Sequence, residues 1–88
     1  MLKIELNKSE YNYLHEAPFL SNDHRYLLST ANQLDDAYIL EISKTNADEI
    51  RDCLGERLQL VGFDKEYDLT TEGEILEGLI DKFFIDTL

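Results

Sequence analysis

In Tyr38-Ile39-Leu40-Glu41-Ile42-Ser43-Lys44-Thr45-Asn46-Ala47-Asp48-Glu49-Ile50 the chain passes from one regular period to another. Residues 38–42 are β-branched, aromatic or apolar around a single Glu and are bounded by Asp35-Asp36 and Ser43, the pattern of a strand over 37–43. After Ser43 the apolar residues recur at helical spacing. Thr45 precedes Asp48 by three residues, as in a capping box with Asp in place of Glu, and Ile50, Cys53, Leu54, Leu58 and Val61 then share one face up to Gly62. The spacing predicts a helix over 46–61.

Toward the amino terminus, Leu2-Lys3-Ile4-Glu5-Leu6 alternates with period two and predicts a strand over 2–6 with one buried face. Ser9, Glu10, Tyr11 and Leu14 suggest a short helix over 9–17, stopped at Ala17-Pro18 because proline bars its predecessor from the α region. Residues 19–36 admit two readings. Ser21-Asn22-Asp23 fits a cap ahead of a helix through Tyr26-Leu27-Leu28, whereas Arg25 to Thr30 fits a strand turning at Asn32; the helix is the favoured expectation.

Toward the carboxyl terminus, Thr71 and Glu74 repeat the capping-box spacing before Ile75, Leu76, Leu79, Ile80, Phe83 and Phe84, which predicts a helix over 72–85. Gly73 and Gly78 each weaken that helix by about 1 kcal/mol relative to Ala. Phe63, Tyr67 and Leu69 make the link between the two helices apolar enough to pack down as an ordered loop. The expected architecture is one α+β domain over residues 1–88, a small sheet covered by the two carboxyl-terminal amphipathic helices.

With 88 residues, 43% of them hydrophobic, the chain has the material for one small core and little room for a deep active-site cavity. Lys and Arg number 8 against 19 Asp and Glu, a net charge of −11, and the acidity is concentrated in the carboxyl-terminal two-thirds. Such a charge disfavours direct contact with nucleic acid or an anionic lipid surface and favours a basic protein partner. Lone Cys53 excludes an internal disulfide. Lys3, Glu5 and Lys8 interrupt the opening segment where a secretory signal needs an apolar run, so the expected setting is cytoplasmic, with no membrane span.

Several chemistries are disfavoured by spacing. Asp64-Lys65-Glu66-Tyr67-Asp68 has the look of a calcium loop, but the sixth and twelfth positions hold Leu69 and Ile75 where Gly and a bidentate Glu are required. Cys53 falls on an apolar helix face, and neither His15 nor His24 stands in a catalytic or zinc-binding pattern. None of Gly55, Gly62, Gly73 and Gly78 belongs to a phosphate-binding loop. The expectation is a protein without enzymatic activity, cofactor or metal.

What remains is the acidic surface. At 100° per residue from Ile50, Asp48, Glu49, Asp52 and Glu56 fall between about 160° and 260°, opposite the apolar stripe. Glu74, Glu77 and Asp81 lie opposite the apolar arc of the last helix. A solvated, solubilising face accounts for such stripes; so does a docking surface, since like charges at i, i+3 and i+4 weaken a helix and a basic partner would explain that cost. The candidate partner-binding residues are Glu49, Asp52, Glu56, Asp64, Tyr67, Asp68, Glu74, Glu77 and Asp81, with Tyr67 as an aromatic contact or an ordinary packed loop residue. Arg57 lies beside the apolar stripe, either snorkelling over the core edge or pairing with a carboxylate of the last helix or of the 64–68 loop. A nucleic-acid mimic occupying an enzyme's groove and a self-associating structural subunit are alternatives from other classes.

The segment Ala47-Asp48-Glu49-Ile50-Arg51-Asp52, with Gly55-Glu56, Leu58-Gln59, Gly62-Phe63-Asp64, Tyr67, Thr71-Glu72-Gly73, Leu76-Glu77 and Leu79-Ile80-Asp81-Lys82-Phe83, resembles small acidic bacterial proteins. Among these are uncharacterised chains and the immunity proteins that neutralise toxins of competing cells. The resemblance covers roughly residues 45–85 and contains no catalytic motif. It implies a cytoplasmic inhibitor that docks an acidic surface on a basic toxin domain, many such toxins being nucleases, and it transfers no individual contact residue.

Overall fold

Alternating side chains at the amino terminus form strand β1 (Leu2–Asn7) in the computed structural model, which describes residues 1–84. The chain continues through α1 (Lys8–Glu16), α2 (Asn22–Ser29), β2 (Asn32–Leu34), β3 (Ala37–Ile42), α3 (Lys44–Val61) and α4 (Thr71–Phe83). This is an α+β fold, a three-stranded antiparallel sheet in the order β1-β3-β2 with four helices. In the β1–β3 register Ile4 lies opposite Leu40 and Leu6 opposite Tyr38, so one face of the pair collects the apolar side chains. No helix among the described residues is long and apolar enough to cross a membrane.

The ambiguous segment 19–36 holds a helix and a strand. Ser21 is extended and its Oγ accepts from His24 N at 3.1 Å, which starts α2. The favoured helix through Tyr26-Leu27-Leu28 forms as α2, Asn22–Ser29, and a short strand outside that expectation follows it. All three β2 residues are exposed, so no apolar alternation marks them; the strand exists because Asp35, at φ 54°, turns the chain back onto β3.

Caps also differ from the sequence reading. Neither Thr45 with Asp48 nor Thr71 with Glu74 forms a capping box, because each Thr already lies inside its helix. Ser43 starts α3, accepting from Asn46 N at 3.2 Å, and Thr70 starts α4, accepting from Gly73 N at 3.0 Å. The Thr70 hydroxyl donates in turn to Val61 O at 2.9 Å, which fastens the start of α4 to the end of α3. The reciprocal box forms at α1, where Asn7 Oδ1 accepts from Glu10 N at 2.8 Å and Glu10 Oε1 accepts from Asn7 N at 2.9 Å. Helix α4 ends at Phe83, and position 85 of the expected helix lies outside the described residues.

The core joins Ile4 and Leu6 of β1, Leu40 and Ile42 of β3, Leu14 of α1 and Leu28 of α2 to Ile50 and Leu54 of α3 and Leu76, Leu79 and Phe83 of α4. Helices α3 and α4 meet at their linked ends without side chains between them: a Cβ at Gly73 would come within 2.3 Å of Gly62 O. The intervening loop closes with a bridge between Phe63 and Leu69. It does not pack down as expected. Tyr67 is 87% exposed and Phe63 45% exposed, and only Leu69 turns partly inward.

Candidate partner-binding surface

All nine candidate residues are exposed; eight of them fall into three groups by the element that carries them, and Glu49 stands apart. Asp52 and Glu56 stand one turn apart on α3 and line a shallow furrow against α4. Glu74, Glu77 and Asp81 run along the outer side of α4. Asp64, Tyr67 and Asp68 belong to the loop between the helices. Glu49, though exposed, is paired within the fold: its Oε2 lies 3.1 Å from Nε2 of His24, a buried residue of α2. Asp48 leaves the acidic stripe too, paired with Lys44 at 3.1 Å and Arg51 at 3.8 Å.

In the loop, Asp64 has an architectural task. Its Oδ1 accepts from Glu66 N at 2.8 Å and from Asp68 N at 3.0 Å, so the carboxylate organises the turn rather than facing solvent freely. The turn holds Tyr67 at φ 65°, a conformation costly for a bulky L-residue. The packed reading of Tyr67 is therefore excluded, and its ring stands in solvent.

The field at α3 is visible at Cys53. Burial first, then Glu56, Asp52 and Glu49, push its thiol above the ordinary value, which keeps it protonated and unreactive at neutral pH.

Arg57 resolves to the paired alternative. Its Nε donates to Glu72 Oε2 of α4 at 3.3 Å while its guanidinium lies 5.5 Å from the Phe19 ring centroid. The same Glu72 oxygen accepts from the Tyr13 hydroxyl at 2.6 Å, so one carboxylate ties α1, α3 and α4 together. Sequence reading missed this node, because Tyr13 and Glu72 are 59 residues apart and no local pattern links them. Glu72→Ala is expected to cost about 1–3 kcal/mol in urea unfolding, since two half-buried donors lose their acceptor together.

Tyr13 gives the fold a pH dependence. Burial, the hydrogen bond to Glu72 and the charge of Glu72 all raise its phenol above the usual 10.0. At alkaline pH the unfolded chain releases this proton before the folded one does, so ionisation favours unfolding. Stability is expected to fall as pH rises through the ordinary tyrosine range upward, and Tyr13→Phe should flatten that decline in melts recorded from pH 9 to pH 11.

No family model, curated protein or solved structure matches the chain.

Proposed function

We propose that the chain is a non-enzymatic binding module that docks its acidic helical surface on a basic protein partner, as an immunity-type inhibitor in the cytoplasm would. In this reading α3 and α4 cover the sheet with their apolar sides and turn their acidic sides outward to the partner. One observation carries it: Asp52, Glu56, Asp64, Asp68, Glu74, Glu77 and Asp81 are exposed with no Lys, Arg or His in ion-pair range among the described residues. Several cations of the fold are paired with other carboxylates. Lys3 pairs with Glu41 and Lys82 with Glu10, and Arg57 is held by Glu72. Uncompensated like charge weakens the helices that bear it, and a cationic partner would reverse that sign.

Immobilised protein should retain one basic protein stoichiometrically from a lysate and release it as salt rises, because attraction between exposed charges is screened. Reversing Asp52, Glu56, Glu77 and Asp81 to Lys should slow association with that protein roughly 10–10³-fold at low salt, with the gap closing at high salt. An unchanged association rate in the quadruple variant, folded by circular dichroism, would sink the reading.

A further inference from the structure

Strand β1 is an edge of the sheet, with β3 as its one strand neighbour among the described residues. Which of its backbone groups are already spent follows from the hairpin beside it. The two-residue turn Asp35-Asp36 joins Leu34 to Ala37, so that pair closes the hairpin with its own hydrogen bonds, and Ala37 turns its N–H and C=O toward β2. Backbone direction alternates along a strand, so Ile39 and Glu41 also face β2, while Tyr38, Leu40 and Ile42 face β1. Their register partners Leu6, Ile4 and Leu2 are therefore the bonded residues of β1. Lys3 and Glu5, between them, aim N–H and C=O away from the sheet. Asn7 has the same phase: its N–H also points off the sheet and donates to Glu10 Oε1 at 2.9 Å.

These groups have no other partner among the described residues. No backbone hydrogen bond from outside the sheet reaches Lys3 or Glu5, and both residues are exposed. The described chain ends against α3, where the Phe84 ring centroid lies 5.2 Å from Arg51 Cζ. Two donors and two acceptors in an extended row are a template for a further strand.

The side chains say which strand fits. Lys3 and Glu5 share the outer face of β1, opposite buried Ile4 and Leu6. If another β1 pairs antiparallel through these same backbone groups, the register centres on Lys3, Ile4 or Glu5. The first sets Lys3 against Lys3, and the last sets Glu5 against Glu5. Centred on Ile4, the pair sets Lys3 of each copy against Glu5 of the other, forms four ladder bonds and brings half-buried Leu2 against Leu6. Glu5 has no cation in ion-pair range within the described residues, and Lys3 meets Glu41 at 3.7 Å on its other side. Residues 1–30 hold three Lys and Arg against four Asp and Glu, whereas the rest of the chain holds five against fifteen, so two copies meet here where their repulsion is least.

We propose that β1 pairs with β1 of a second copy, antiparallel and centred on Ile4, joining two three-stranded sheets into one of six strands. This association is separate from acidic docking, which uses α3, α4 and the loop between them.

A strand pair is a small interface, below the roughly 1,200 Å² of a tight complex, so sedimentation equilibrium of the full chain should run from about 10 µM to about 1 mM. The mass is expected to rise from 10.2 kDa toward twice that value. Lys3→Glu and Glu5→Lys each set like charges in both cross-copy pairs and should weaken association by at least about tenfold. Mixing the two variants, or combining both changes in one chain, restores opposite charges and should restore association. In a sample with half the copies isotope-labelled, the Ile4 α-proton should show a contact to Ile4 of the other copy, since Cα atoms of such a pair stand about 4.5 Å apart. A monomer mass at every concentration would overturn the proposal. Dimers insensitive to both charge changes would overturn it too, by placing the interface on another surface. So would backbone contacts to Lys3 and Glu5 from elsewhere in the same chain that persist at the lowest concentration.

Discussion

Alanine at Gly73 is expected to destabilise the fold by about 2–3 kcal/mol, the range of a methyl group forced into a filled space. Its Cβ would stand 2.3 Å from Gly62 O, 2.9 Å from Gly62 Cα and 2.9 Å from Leu69 Cδ1, and the first two are backbone atoms that no rotamer change can move. Gly62 O also accepts from Thr70 N at 2.8 Å. Pushing the helices apart at this point therefore disturbs the start of α4 along with the packing. Gly78→Ala in the same helix is the control: the added Cβ meets only Glu10 Oε2, at 3.9 Å. That change should stabilise by about 0.5–1 kcal/mol, the ordinary gain of alanine over glycine inside a helix. Urea unfolding of the two variants should move in opposite directions. A stable Gly73→Ala protein would mean that the ends of α3 and α4 are not in direct backbone contact.

The contrast shows where the sequence was readable. Glycine's helix cost is a local property, so Gly73 and Gly78 read alike in one dimension. Only the approach of Gly62, eleven positions earlier, separates a required glycine from a replaceable one. Strands and helices with strong periodicity were legible for the same reason in reverse: Ile4 and Leu6, or Ile50 and Leu54, announce a buried face through spacing alone. Strand β2 was not legible, because Asn32, Gln33 and Leu34 are held by pairing with β3 and bury no side chain of their own. Caps were legible only to within a residue or two. Ser43 and Thr45 are equally good cap types, and the choice falls to the one whose backbone is extended.

The candidate surface divides along the same line. Outward carboxylates follow from helical phase, and Asp52, Glu56, Glu74, Glu77 and Asp81 are exposed as phase requires. Phase could not show that Glu49 meets His24, since that pair joins α2 to α3 across 25 residues. Nor could it show that Asp64 spends its carboxylate on its own turn.

Phe83 and Phe84 lie side by side on the apolar arc of the last helix, yet alanine at each is expected to act very differently. Phe83 is fully buried and is the largest side chain in the core. Removing it should cost about 3–5 kcal/mol, combining lost transfer energy with a cavity that β1, α3 and the rest of α4 close only in part. A domain of this size has a total stability of about 4–13 kcal/mol, so Phe83→Ala should melt far below the parent and expose the core to an apolar dye. Phe84 is 61% exposed because α4 ends at Phe83: the Phe84 backbone is extended, at ψ 105°, and the helical phase that placed it inward no longer applies. Phe84→Ala should change stability by no more than about 0.5 kcal/mol. Equal losses at the two positions would show that the helix continues past Phe83 and turns both rings inward. Unequal losses in the expected order would place the edge of the core between two consecutive residues, with Phe84 on the surface that a partner can reach.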